Sequence, residues 1–145
     1  MSAMLRTFGR LMTAFALLMG VSAGTVAIAG PAQAARAGAY QVTVTRTGGF
    51  IGVNEAYTVF HDTAHVSTPA LMTAVEGREF RHLCASYPPA GNGADRFVYT
   101  VSVTYRNGVT KTIVTEDGAD APELLWRVIG TTLQITRDLA ATTAS

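Results

Sequence analysis

The sequence predicts an α+β fold: an antiparallel sheet of four or five strands in two hairpins, one face covered by two or three helices. Two observations carry most of this expectation. Alternating runs meet at Gly48-Gly49 and again at Asn107-Gly108, both of them turn signals between strands. Each pair of runs is followed by a segment whose apolar residues recur at helical spacing. This order suits a sheet with its helices on one side.

The chain opens with Arg6 and Arg10, runs without charge from Leu11 to Gly30, and reaches Pro31-Ala32-Gln33-Ala34-Ala35. That is the layout of a secretory signal peptide with a cleavage site after Ala34, although the apolar run is also long enough for an anchor. The expected division is a signal peptide over residues 1–34 and a single domain over 35–145. Its core would span 40–136, with a frayed C-terminal tail. About 110 residues suffice for one hydrophobic core. Without Arg6 and Arg10 the formal charge changes from +1 to −1, and Lys111 is the single lysine. Nothing here resembles the basic footprint of a nucleic-acid binder or a membrane-surface protein. Cys84 is the one cysteine, so an internal disulfide is excluded. It reads as a small buried apolar residue, with a reactive or dimer-forming thiol as the alternative. The expected location is secreted or on the outer side of the cell envelope.

Tyr40, Val42 and Val44 alternate with Gln41, Thr43 and Thr45, which predicts a half-buried first strand. A two-residue turn at Gly48-Gly49 pairs Thr47 with Phe50, Val44 with Val53, Val42 with Glu55 and Tyr40 with Tyr57. Tyr40, Val42, Val44, Ile51, Val53, Tyr57 and Val59 then share one face, with Glu55 as the odd member. Phe50 falls on the polar side beside the tip. It is either a contact residue, a side chain folded over an edge, or one turned inward by a bulge at Gly52. Thr68 before Pro69 predicts a helix start. Leu71, Met72 and Val75 form one apolar stripe, and Phe80, Leu83, Cys84 and Tyr87 a second beyond Gly77. Phe97, Tyr99, Val101, Val103 and Tyr105 then alternate, and a turn at Asn107-Gly108 pairs Tyr105 with Thr110 and Val101 with Val114. Val109 and Ile113 are left on the opposite face, so either that face is partly covered or a bulge shifts the register. A capping box from Asp120 to Glu123 predicts a short helix ending near Gly130. Leu133 and Ile135 suit a last strand or an extended tail.

No constellation predicts catalysis. His61 and His65 flank a strand end and a helix start, where their spacing has no helical meaning for a metal, and His82 lies off the apolar stripe. The expectation is a non-enzyme with no metal site and no cofactor. Gly48, Gly49, Phe50 and Gly52 form the candidate partner-binding site, because a large aromatic beside a tight tip adds nothing to its own core. Asp120 and Glu123 are accounted for by capping. Glu116 and Asp117 are left as a secondary contact for a partner or a cation.

Three segments carry a resemblance. They are Val42-Thr43-Val44-Thr45-Arg46-Thr47-Gly48-Gly49-Phe50-Ile51-Gly52, then Asp95-Arg96-Phe97-Val98-Tyr99, and the Pro122 to Val128 helix after an acidic residue. In this order, across most of Tyr40 to Ile129, the chain resembles the emfourin family of bacterial protein inhibitors of thermolysin-like metalloproteases. The resemblance implies non-covalent blockage of a zinc protease's active-site cleft, with an extracellular thermolysin-like enzyme as the protein partner. Two other readings compete with it. One is a subtilisin-inhibitor-like protein acting on a serine protease, which a single cysteine disfavours. The other is a non-inhibitory envelope domain that binds another protein or a glycan.

Overall fold

The first alternating run becomes an inner strand of the sheet, paired along both edges. The structure, a computed structural model, describes residues 37–91 and 95–144. The expected signal peptide with its cleavage site, residues 92–94 of the glycine-rich loop, and Ser145 lie outside the described residues. The elements are β1 (Ala39–Gly48), β2 (Val53–Phe60), α1 (Thr68–Glu76), α2 (Arg78–Arg81), β3 (Ser86–Tyr87), β4 (Phe97–Tyr105), β5 (Thr110–Glu116) and α3 (Glu123–Thr143). The strands lie in the order β2-β1-β4-β5-β3. All neighbours are antiparallel except β3, which runs parallel to β5. The fold is α+β, with a mixed five-stranded sheet.

The core lies between one face of this sheet and the helices. Val42, Val44, Val59, Val101, Val103 and Ile113 come from the strands, and Leu71, Val75, Phe80, Leu125, Val128 and Ile135 from the helices; all are buried. A set of polar contacts ties the start of β1 to this core. Glu76 accepts the Ala39 N–H at 2.7 Å, and the Tyr105 hydroxyl donates to the Val75 carbonyl at 2.9 Å. The Arg81 guanidinium lies 4.1 Å from the centre of the Tyr105 ring and donates to the Ala37 carbonyl.

Both hairpins close differently from the expected turns. In the first, Gly48 pairs with Val53, Val44 with Tyr57 and Val42 with Val59, so the loop holds Gly49 to Gly52. The displacement from the expected register is even, and strand faces therefore keep their side. Val42, Val44 and Val59 still point inward. Ile51, expected on the apolar face, instead stands in the loop and is exposed. Tyr40 also moves outward, because a bulge between Ala39 and Gln41 sends Ala39 inward in its place. In the second hairpin Val101 pairs with Ile113 and Thr104 with Thr110. Gly108 takes φ +81° while Asn107 does not leave negative φ, which makes a three-residue loop with a glycine bulge. This shift by one residue turns Ile113 and Thr115 into the core.

The helices also differ from expectation. Gly77 does divide the first helical segment in two, but Ser67, not Thr68, precedes α1, and no side chain caps it. Helix α2 stops at Arg81. Cys84 is therefore exposed, and Tyr87 joins β3. No capping box forms at Asp120; Pro122 occupies the cap position of α3. Gly130 does not end that helix, which runs through to Thr143 in place of the expected strand or tail. Leu125, Val128, Ile129, Thr132 and Leu133 follow one helical stripe across Gly130, which faces solvent. The buried Thr132 hydroxyl donates to the Val128 carbonyl one turn back.

Burial of Ile135 separates this helix from a tail. Ile135→Ala is expected to cost about 2–5 kcal/mol in urea unfolding. A residue in an extended, solvated segment would change stability by no more than about 0.5 kcal/mol.

Candidate functional site

At one end of the sheet, beyond the reach of the packed core, the β1–β2 loop meets the start of β4 and the end of β5. Gly48 lies opposite Phe97, and Val98 opposite Glu116. The structure thus gathers Gly48, Gly49, Phe50, Gly52, Glu116 and Asp117 at one end of the sheet.

The loop backbone is pinned from two sides. Gly49 donates its N–H to the Arg96 carbonyl at 3.2 Å, and Gly52 donates to the Gly49 carbonyl at 2.9 Å. Phe50 and Ile51 are the central residues of that turn, and neither takes positive φ. The glycines thus have different work from the one the sequence suggested. A β-carbon on Gly48 would lie 2.5 Å from the Arg96 carbonyl oxygen, and one on Gly49 would lie 2.6 Å from the Phe97 ring. Gly48 and Gly49, at φ +100° and +73°, allow β1 to press against β4. Gly52, at φ +66° with open space around it, serves the turn alone.

Phe50 is 92% exposed and Ile51 84%, side by side on this fixed turn. Of the three positions open to Phe50 on sequence grounds, the structure takes the one in solvent.

Beneath the tip lies a layer of aromatic and charged groups. The Arg46 guanidinium sits 4.1 Å from the centre of the Phe97 ring. Its Nε is 3.7 Å from a Glu55 carboxylate oxygen, too far for a hydrogen bond, so charge and ring stacking hold it. Glu55 also accepts from the Tyr57 hydroxyl at 2.6 Å. That bond holds the Tyr57 phenol above its ordinary range, with desolvation adding to the effect. Burial raises Tyr99 as well, helped by the negative Asp117 close by. Tyr99 meets the Trp126 ring edge-on at 5.8 Å between centres. Asp117 bridges the strand ends: its N–H donates to the Phe97 carbonyl at 3.0 Å, and its carboxylate accepts weakly from the Phe97 N–H at 3.4 Å. Sequence reasoning assigns Arg46, Phe97 and Trp126 no role at the site and marks Glu55 as the odd member of the apolar face. Arg46 and Phe97 lie on the same strand face as Val44 and Val101, a relation available only once β1 and β4 are known to pair.

The histidines are elsewhere. His65 shares a hydrogen with Asp138 at 3.2 Å and accepts from the Ser67 N–H, which fastens the loop before α1 to α3. His61 stacks beside Tyr40, and His82 is exposed. Among the described residues, no three His, Cys, Asp or Glu side chains are grouped to hold a metal ion, and no helix is long and apolar enough to cross a membrane.

The rim thus combines exposed apolar area on a hydrogen-bonded turn with Arg46, Glu55 and Asp117 engaged in internal contacts. Residues 44–129 match the family model described as Emfourin, a span that includes the whole tip and the β4 and β5 strands that brace it. The chain belongs to the Emfourin family. Members are inhibitors rather than enzymes, and membership is consistent with a protease-inhibitor role and a protein partner. No curated protein and no solved structure matches the chain.

Two predictions test this rim. Gly49→Ala is expected to lower the stability to urea by at least about 1–3 kcal/mol, since it adds a clash with Phe97 to a strained φ. Gly52→Ala meets nothing and should cost only about 1–2 kcal/mol. The raised phenols give a pH effect with a definite sign. Their contribution to stability is present below the ordinary tyrosine value of 10.0 and is lost as pH rises through the higher folded value. Spectrophotometric titration should show phenolate appearing later than in free tyrosine, and Tyr57→Phe should reduce the alkaline loss of stability.

Proposed function

We propose that this protein is exported and inhibits a thermolysin-like zinc metalloprotease, seating the Gly49–Gly52 tip in the active-site cleft without covalent chemistry. The observation behind this reading is the pairing of Phe50 and Ile51, both nearly fully exposed, with a backbone fixed against β4. Apolar area in solvent contributes nothing to its own fold, and enclosing it in a partner's apolar pocket is favourable. Because the turn is already ordered, little conformational entropy is lost on docking. Family membership supports the inhibitory role, and the Arg6-Arg10 start with its apolar run supports export. Glu55 and Asp117 both have partners within the rim. In this reading occupation of the cleft inhibits the enzyme sterically, with no carboxylate assigned to its zinc.

Titration of thermolysin with the purified chain should reach full inhibition near one equivalent, and subtilisin should retain its activity. Phe50→Ala should weaken inhibition at least about tenfold, as expected for loss of an interface anchor. Its thermal midpoint should stay within about 2 °C of the unaltered protein, since surface changes rarely exceed about 0.5 kcal/mol. Inhibition of subtilisin alone would assign the protein to the serine-protease class. Undiminished inhibition by Phe50→Ala would move the contact away from the tip.

A further inference from the structure

We infer that the outer edge of β2 is a second contact with the protease, made by main-chain pairing between β2 and an extended segment of the cleft wall. This rests on the proposed inhibition and adds a specific set of hydrogen bonds to it. Among the described residues, strand β2 is the last in the sheet and pairs with β1 alone. The His61 N–H donates to the Tyr40 carbonyl, which fixes the odd-numbered residues of β2 as those bonded to β1. The N–H and C=O groups of Asn54, Ala56 and Thr58 therefore point away from the sheet. Phe60 points the same way, but its N–H is taken by the Thr63 hydroxyl at 2.9 Å. Among the described residues no partner stands on the other three N–H groups.

An edge of this kind is usually guarded by charge, proline or brevity. The opposite edge, β3, is two residues long. On β2 the outward-facing positions are Asn54, Ala56 and Thr58, small and uncharged, while Glu55 is turned to the inner face and engaged with Tyr57. The chain offers the bare backbone where its neighbours would most easily reach it.

The chemistry of the occupant follows from what a protease must do. An endoprotease holds its substrate extended so that the scissile bond is exposed, and the main chain is the part all substrates share. Its cleft wall accordingly presents unpaired main-chain donors and acceptors, the complement of a free strand edge. Position agrees with this. Asn54 follows Gly52 by two residues, and Thr58 lies about 13 Å further along at the rise of an extended strand. A cleft that receives Phe50 and Ile51 has its wall beside these groups.

Amide hydrogen exchange decides the matter on the unaltered protein, alone and with one equivalent of thermolysin. The amides of Asn54, Ala56 and Thr58 should exchange freely in the chain alone and at least about tenfold more slowly in the complex. Ala56→Pro removes the central donor at a position where an edge tolerates proline, and should weaken inhibition about tenfold. Ala56→Val keeps the donor and should inhibit as the unaltered chain does. Inhibition with these amides still exchanging freely would overturn the edge contact and leave the tip in place. Protection that appears in the chain alone and grows with its concentration would give the edge to a second copy, which also overturns it. Absence of both inhibition and protection would remove this inference together with the proposed function. If Ala56→Pro proves unstable, the exchange measurement still decides.

Discussion

At its far end β1 passes β4 so closely that only a hydrogen fits on two successive α-carbons. Gly48 and Gly49 have no room for a methyl against the Arg96 carbonyl and the Phe97 ring. Much at this end of the molecule depends on that approach. It allows the Gly49 N–H to reach Arg96, and so extends the β1–β4 ladder past the last strand residue into the loop. It also brings Phe97 under Gly49, where the same ring accepts the Arg46 guanidinium. The loop is thereby held by a central strand pair rather than by the local turn alone. A hairpin at the edge of a sheet would ordinarily move more freely than its core.

The layer below the tip shows how the sheet ends without exposing its core. Along β1 the inward positions run Val42, Val44, Arg46, and along β2 they run Val59, Tyr57, Glu55. As they leave the helices, β2 thus passes from aliphatic to amphipathic to charged, and β1 from aliphatic directly to charged. Arg46 and Glu55 face one another across the ladder and neutralise one another, while Tyr57 and Tyr99 present rings inward and hydroxyls toward the rim. The odd member of the apolar face, Glu55, is the natural end of this gradient. Water reaches its outer side, and its inner side meets a cation and a phenol.

How much of this was legible in the sequence depends on the length scale of the signal. Strand faces were legible, because period two survives any even change of register; Val42, Val44, Val101 and Val103 could be placed before any pairing was known. Register was not, because a glycine pair is compatible both with a two-residue turn and with close packing against a neighbouring strand. Only β4, distant in sequence, decides between them. The second hairpin failed in another way. Asn107-Gly108 can make a two-residue turn with both residues at positive φ, yet a bulge with Gly108 alone in that region buries Ile113. Val109 and Ile113 on the wrong face were the sign of it. The C-terminal helix was hidden by Gly130 and by threonines that read as strand. A glycine on the solvent side costs a helix only about 1 kcal/mol, and burial of Ile129, Leu133 and Ile135 outweighs it. The candidate site was legible as a tip with an aromatic on its polar side. Its support by Arg46, Phe97 and Asp117 was not, since three strands contribute to it.

The two most exposed apolar residues of the loop make the strongest physical case for a partner. A small domain with a core built largely of valine has reason to enclose every large side chain it possesses, since a buried phenylalanine is worth about 1.5–3 kcal/mol. This domain leaves Phe50 and Ile51 outside, yet orders the backbone beneath them with a strand-to-strand hydrogen bond, a ring under the loop and three glycines at positive φ. Order without burial brings no gain to the isolated fold. In a complex the same order lowers the entropic cost of association, and the exposed area becomes the contact. The arrangement is intelligible as that of a surface completed by another protein.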